Sequence, residues 1–286
     1  MQKIIFYNHY HNGDIFLSKP YIKHIMDLMP EVDFFYFHKN NQKIILDLNI
    51  KQKNLNDFYI NDNLQSFVEN DILFINTHIG RYFPEIEDAE CNWITTHKVY
   101  EKIYKTISEH FSVELKTKNM RDYLYEVDYR FYDIPKNLNL DYSKTFIISN
   151  GPVHSGQSNL NSLDFLIEYL ANKYEDITFI LTHKTNIAAN NILYTDDLIE
   201  TNGSDLNEIV YIADKHCKYI MGRQSGPFTF MGTDSILNNK NKVIFSLRHN
   251  RNCEFLYNLK AESKYFSILD TDINYIFDII EKNIGG

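Results

Sequence analysis

The chain has 286 residues, of which 44% are hydrophobic and 23% charged, with a formal net charge of −9. That balance supplies a core of ordinary size and excludes a disordered chain. The acidic total, with no dense Lys/Arg cluster, argues against a nucleic-acid partner and leaves only transient contact with an anionic membrane surface open.

In chain order, Lys3–Tyr7 is a short apolar run that reads as a buried strand, central in a parallel sheet. The polar loop His9-Tyr10-His11-Asn12-Gly13-Asp14 follows. Ser18-Lys19-Pro20 reads as a helix N-terminus with Pro in the first turn, and Tyr21, Ile25, Leu28 and Met29 recur at helical spacing until Pro30. Asp33–His38 is the second strand, which completes the opening β-α-β unit of a doubly wound domain. Asp71–Asn76 is another buried-type strand, ending in the polar loop Thr77-His78-Ile79-Gly80-Arg81. A helix is expected from about Lys98 to Phe111, with Val99, Ile103, Ile107 and Phe111 on one face. The stretch from Lys116 to Tyr142 is polar and Asn-rich and marks a boundary between domains.

The pattern then restarts. Strands are expected at Thr145–Ser149, Ile177–Leu181, Asn191–Tyr194, Tyr219–Met221 and Val243–Leu247. Helices are expected at Leu163–Tyr174, Asp205–His216 and Asp272–Asn283. The fold class is therefore α/β, with two Rossmann-like parallel-sheet domains, residues 1–140 and 141–286. In open parallel sheets, ligands bind at the carboxyl ends of strands. Here those ends are polar and rich in Gly and His: the loops after Tyr7, Asn76, Ser149, Leu181 and Met221. No GxGxxG follows a strand, so NAD and FAD are not expected as cofactors.

Several residue groups have two readings. His9, His11 and Asp14 could share a metal, but loop histidines more often only hydrogen-bond. Asp270-Thr271-Asp272 has the form of a metal-nucleotide DxD motif, yet at a helix start it is more simply an N-cap. Asp196-Asp197 reads as a turn and Cys217 as a buried thiol. No metal site is expected. Three cysteines without CxxC spacing argue against both a disulfide framework and a thiolate zinc site, which fits a reducing cytoplasm. The polar run after Tyr7 comes too early for a signal peptide, and no apolar run reaches the roughly 18 residues of a membrane span.

The stretch from His9 to Pro20 resembles the opening of the lipopolysaccharide heptosyltransferase-like family, in which a Gly-Asp pair after the first strand precedes a Pro and a helix. The resemblance makes Asp14 the catalytic base on an acceptor hydroxyl, with Gly13 bending the backbone and His9, His11, Asn12 and His78 lining the acceptor side. A carboxylate on a rigid loop suits that proton transfer; its plainer role is to cap a turn or helix. The stretch from Asp205 to Thr229 resembles the family's donor-binding segment. Glu208 then meets the nucleoside, and Ser225-Gly226 before Pro227 meets the diphosphate. Plainer readings are a solvated helix residue for Glu208 and an ordinary tight turn for Ser225-Gly226. Gln224 stands where the family has Asp, and Phe228-Thr229-Phe230 replaces its His-containing continuation, which puts the donor sugar in question. Asn150, Gly151 and His154 match the position of the family's phosphate-approaching loop. The family's Lys after this Gly is missing, and His183-Lys184 could supply that charge; Arg223 adds a fixed positive charge for phosphate beside Ser225-Gly226. The resemblance implies a GT-B glycosyltransferase with two halves facing a cleft. It would be inverting and metal-independent and need no cofactor, with a nucleotide-sugar donor and a glycan or glycolipid acceptor. A nucleotide-sugar epimerase and a non-catalytic nucleotide or glycan binder share that architecture.

Overall fold

The computed structural model describes residues 2–8, 12–38, 42–54, 60–61, 63–79, 91–153, 160, 162–201, 204–224, 226–248, 253–254 and 261–284. The chain divides into two compact units, Met1–Phe131 and Tyr132–Gly286.

The first unit begins with β1 (Lys3–Asn8), α1 (Asn12–Leu28) and β2 (Asp33–His38), followed by a 3-10 segment (Gln42–Leu48). Then come β3 (Lys51–Asn54), β4 (Ser66–Glu69), β5 (Ile72–Asn76), the two-residue strand β6 (Cys91–Asn92) and α2 (Trp93–Phe111). Its sheet has the order β3-β2-β1-β5-β4. As expected from its apolar run, β1 is central, parallel to both β2 and β5. Only β4 runs antiparallel, along β5.

Helix α1 corrects one expectation. It starts at Asn12, six residues before Ser18, and Pro20 lies inside it. Gly13 and Asp14 are therefore helical and not part of a loop bend. Pro20 removes the ladder bond to the Phe16 carbonyl, and the Ser18 hydroxyl turns back to the Ile15 carbonyl at 2.6 Å. The helix survives because every residue from Ile15 to Ile22 is buried; packing on all sides outweighs the local break.

Two polar devices tie later chain to α1. Lys19 and Asp47, both fully buried, pair at 2.8 Å. The Tyr125 hydroxyl donates to Asp47 Oδ2 at 2.8 Å and the Asp128 N–H at 3.3 Å. Tyr21 is sandwiched between Tyr100 and Tyr123, with ring centroids 3.9 and 4.0 Å away. The Tyr104 and Tyr123 hydroxyls meet His24 Nδ1 at 2.8 and 3.0 Å. The stretch after α2 is polar in composition, yet it packs into the first unit through Tyr123 and Tyr125.

These groups predict an alkaline limit to stability. Burial pushes the phenols of Tyr21, Tyr36, Tyr100, Tyr104 and Tyr125 above their ordinary value of 10.0. Above pH 10 only the unfolded chain ionises them, so each withdraws about 1.4 kcal/mol of stability per pH unit. Lys19 has the opposite sign: burial draws its ammonium down to about 8 from 10.5. The folded chain sheds that proton first, so this contribution rises with pH between those two values and then stops. Buried Lys242, also drawn down to about 8, acts in the same direction; both lysine gains end near pH 10.5, beyond which the five tyrosines alone act and stability falls steeply. Urea midpoints at pH 7, 9 and 11.5 should fall sharply only at the last, with tyrosinate absorbance appearing together with loss of helical dichroism. Tyrosinate forming fully before any unfolding would contradict the burial of these rings.

The second unit holds β7 (Thr145–Ser149), α3 (Asp164–Lys173), β8 (Thr178–Leu181), β9 (Ile192–Tyr194), α4 (Thr195–Leu198) and α5 (Leu206–His216). It continues with β10 (Tyr219–Arg223), α6 (Gly226–Thr229), α7 (Asp234–Leu237), β11 (Val243–Arg248), the short β12 (Cys253–Glu254), β13 (Lys264–Leu269) and α8 (Ile273–Asn283). The six-stranded sheet has the order β13-β11-β10-β7-β8-β9, all parallel. That is the doubly wound order, with its reversal between β7 and β10. One face is closed by a core of α3, α8 and the strands, including Phe146, Leu166, Phe179, Phe245 and Ile280. Asp272 caps α8, its side chain accepting from the Tyr275 N–H at 3.0 Å. Asp196 and Asp197 form part of the short helix α4 and not a turn. Cys217 is a buried free thiol. Among the described residues no helix is long and apolar enough to cross a membrane.

Candidate functional site

Each sheet reverses its strand order at one place, and in open α/β sheets ligands bind beyond the carboxyl ends of the strands at such a place. In the first unit this is between β1 and β5. Asn8 ends β1, and Thr77 and His78 follow β5. Asp14 lies in the first turn of α1, which leaves the same edge. His78 Nε2 stands 3.7 Å from Asp14 Oδ2, with the two side chains 17% and 16% exposed, so solvent reaches both. Two residues that the sequence suggested separately, Asp14 and His78, are thus brought together.

The pair rests on a buried polar layer. The Asn76 side chain accepts the His78 N–H at 2.9 Å, which fixes the turn after β5. Thr77 Oγ1 lies 2.7 Å from the Tyr36 hydroxyl and donates to the Tyr7 carbonyl at 3.2 Å. Asn8 Nδ2 donates to Thr77 Oγ1 at 3.4 Å. The Tyr36 phenol is held neutral, first by burial and further by the nearby Asp14 charge. Asn12 opens α1; His9 and His11 lie outside the described residues. Among the described residues no three His, Cys, Asp or Glu side chains converge as a metal site requires.

In the second unit the reversal lies between β7 and β10. Arg223, the last residue of β10, is only 2% exposed. Its guanidinium donates to the Leu160 carbonyl at 2.6 Å, to the Asn150 carbonyl at 2.9 Å and to the Gly151 carbonyl. Arg223 therefore shapes the loop after β7 from within. The Asn150 side chain donates to the His183 carbonyl at 2.8 Å and accepts the His183 N–H at 2.9 Å, joining the loops after β7 and β8. Gly151 borders open space: a Cβ there would meet nothing within 4 Å. Gly222 is the reverse, since a Cβ would overlap the ring of Phe228. Phe228 thus seats α6 directly on β10, and Gly226 begins that helix.

Glu208, in the first turn of α5, is fully buried and accepts the Asp133 N–H at 3.3 Å. That removes its reading as a solvated helix residue. Lys184 is 60% exposed and 3.6 Å from Asp197. Gln224 is buried, its amide donating to Ser246 Oγ at 2.6 Å. Pro227 follows Gly226 in α6; His154 and Ser225 lie outside the described residues. One cation at this edge went unnoticed in the sequence: Arg248, the last residue of β11. It ends an apolar run, and a strand-terminal Arg was the available signal.

No protein-family model and no curated protein matches the chain. Solved structures do. The E. coli heptosyltransferase WaaC with ADP-2-deoxy-2-fluoro heptose aligns over 99% of this chain and 100% of its own, at 8% identity and a TM-score of 0.51. The E. coli ADP-heptose lipopolysaccharide heptosyltransferase II aligns over 98% of each chain, at 10% identity and a TM-score of 0.47. S. aureus MnaA with UDP aligns over 100% of this chain and 88% of its own, at 11% identity and a TM-score of 0.47. The first of these establishes a likeness of fold: two Rossmann-like parallel-sheet units in one chain.

Proposed function

We propose that this chain is a glycosyltransferase that moves a sugar from a nucleotide-diphospho-sugar to a glycan or glycolipid acceptor. The observation that carries the reading is the meeting of Asp14 and His78 at 3.7 Å, at the strand-order reversal of the first sheet. It gains weight from the likeness of fold to a heptosyltransferase solved with a nucleotide-sugar analogue.

The chemistry follows from the parts. An acceptor hydroxyl attacks the anomeric carbon while its proton passes to the Asp14 carboxylate. The new C–O bond forms on the face opposite the departing diphosphate, which inverts the anomeric centre and leaves with the bonding electron pair on oxygen. His78 orients Asp14, and His9, His11, Asn12 and Gly13 belong to the acceptor side. The donor belongs to the second unit, where Arg223 and Asn150 hold the Gly151 loop open beside the start of α6. In this reading backbone N–H groups and a fixed arginine charge do what a metal ion does elsewhere. The reaction belongs in the cytoplasm, where nucleotide-sugars are the donors.

The donor half is tested by thermal shift against ADP, UDP, GDP, CDP and dTDP. A ligand at 100 times its Kd stabilises the folded chain by about 2.7 kcal/mol. One diphosphate should raise the melting temperature clearly above the others and above its own nucleoside. No response to any of the five removes the donor assignment.

A further inference from the structure

We propose that Arg248 is the side chain that binds the donor diphosphate, an inference that rests on the nucleotide-sugar reading above. The sequence offered Arg223 and Lys184 for this charge. Arg223 is buried on the carbonyls of Leu160, Asn150 and Gly151. Lys184 is mostly exposed beside Asp197.

Strand register places Arg248. β10 and β11 are parallel, with Arg223 level with Leu247. The Gln224 N–H still donates to the Leu247 carbonyl at 2.8 Å, so Arg248, the next residue of β11, stands level with Gln224. Alternation along β11 decides the face. Val243, Phe245 and Leu247 point into the core under α3 and α8. Ser246 and Arg248 therefore point to the other face, where Ser246 meets Gln224 at 2.6 Å. Gly222 lies two residues before Gln224 on β10, so it shares this face, and Phe228 of α6 packs against it. Arg248 thus shares a face and an edge with the start of α6.

The arginine is half-buried and anchored. Its Nε donates to Ser267 Oγ of β13 at 2.5 Å. A guanidinium fixed at Nε has its plane set, and a planar fork held in this way matches the paired oxygens of a phosphate better than a mobile lysine does.

Calorimetric titration of the intact chain with ADP, UDP, GDP, CDP and dTDP, and with the matching nucleosides, tests this. Arg248→Gln should weaken the preferred diphosphate by about tenfold or more, the scale of a charge-assisted bond. Its nucleoside should be affected less than twofold. Arg248→Lys should recover part of the loss, and Lys240→Gln, an exposed lysine of the same unit, should bind as wild type. Should Arg248→Gln fail to fold, Arg248→Lys and Ser267→Ala, which removes the anchor, carry the same comparison. Wild-type affinity in the Arg248 variants, with a diphosphate bound by the wild type, overturns the role of Arg248 and leaves the donor reading intact. A wild-type chain that binds no diphosphate removes both.

Discussion

Asp14→Asn should lower turnover by about 10²- to 10⁴-fold, the range general-base catalysis contributes, while nucleoside diphosphate affinity stays at the wild-type value. The substitution keeps the size and the first-turn position of the side chain in α1. It removes only the ability to take a proton. Because Asp14 belongs to the first unit and the loops proposed for the donor to the second, the effect should separate cleanly into turnover without binding. The readout is nucleoside diphosphate release measured beside calorimetric affinity. Retention of most turnover would refute the base assignment, and a parallel loss of nucleotide affinity would move Asp14 to the donor side.

Asp47→Ala should cost the first unit about 3–5 kcal/mol, the range for breaking a buried ion pair. Lys19 and Asp47 are both fully buried at 2.8 Å. Removing the carboxylate leaves the ammonium without its counter-charge and takes the acceptor from the Tyr125 hydroxyl and the Asp128 N–H. The stretch around Tyr125 then rests on its ring contacts, among them Tyr125 edge-on to Phe16 and the Tyr21, Tyr100 and Tyr123 stack. The double variant Lys19→Met/Asp47→Leu should regain most of the loss, because an apolar pair carries no desolvation cost. Urea unfolding monitored by dichroism measures both. A cost below about 1 kcal/mol for Asp47→Ala would mean that the pair is better hydrated than its burial indicates.

The parallel core was readable from the chain alone. β1, β2, β5, β7 and β10 each carry an unbroken apolar run, and β11 one interrupted only by Ser246, because both faces of a central parallel strand are covered. The edges were not: Lys51–Asn54 is wholly polar and Ser66–Glu69 is half-exposed, so neither carries a periodic signal. The start of α1 was misplaced for a physical reason. Ser18-Lys19-Pro20 imitates a helix N-terminus, and continuous burial on every side erases the apolar-polar period that would have shown the true start at Asn12.

At the candidate site, the residue types at the strand ends were legible, but their alliances were not. Asp14 and His78 are far apart in sequence and meet only because β1 and β5 are neighbours. Arg223 looked like a ligand for phosphate because its partners are backbone carbonyls, which leave no mark in a sequence. The burial of Glu208 was not legible, because the Asp133 N–H that it accepts comes from a segment that reads as linker. Arg248 leaves no mark of its place in the sequence either, because that place, one step past the Arg223–Leu247 pair, is a matter of register.

The central claim is glycosyl transfer, and it is tested most directly by nucleoside diphosphate release from the matching nucleotide-sugar, with and without a panel of carbohydrate and glycolipid acceptors. Release should depend on acceptor, give a product heavier by one sugar with the anomeric centre inverted, and be lost with that product in Asp14→Asn. Conversion of the donor without any acceptor, or binding of the donor with no turnover under any acceptor, would contradict it.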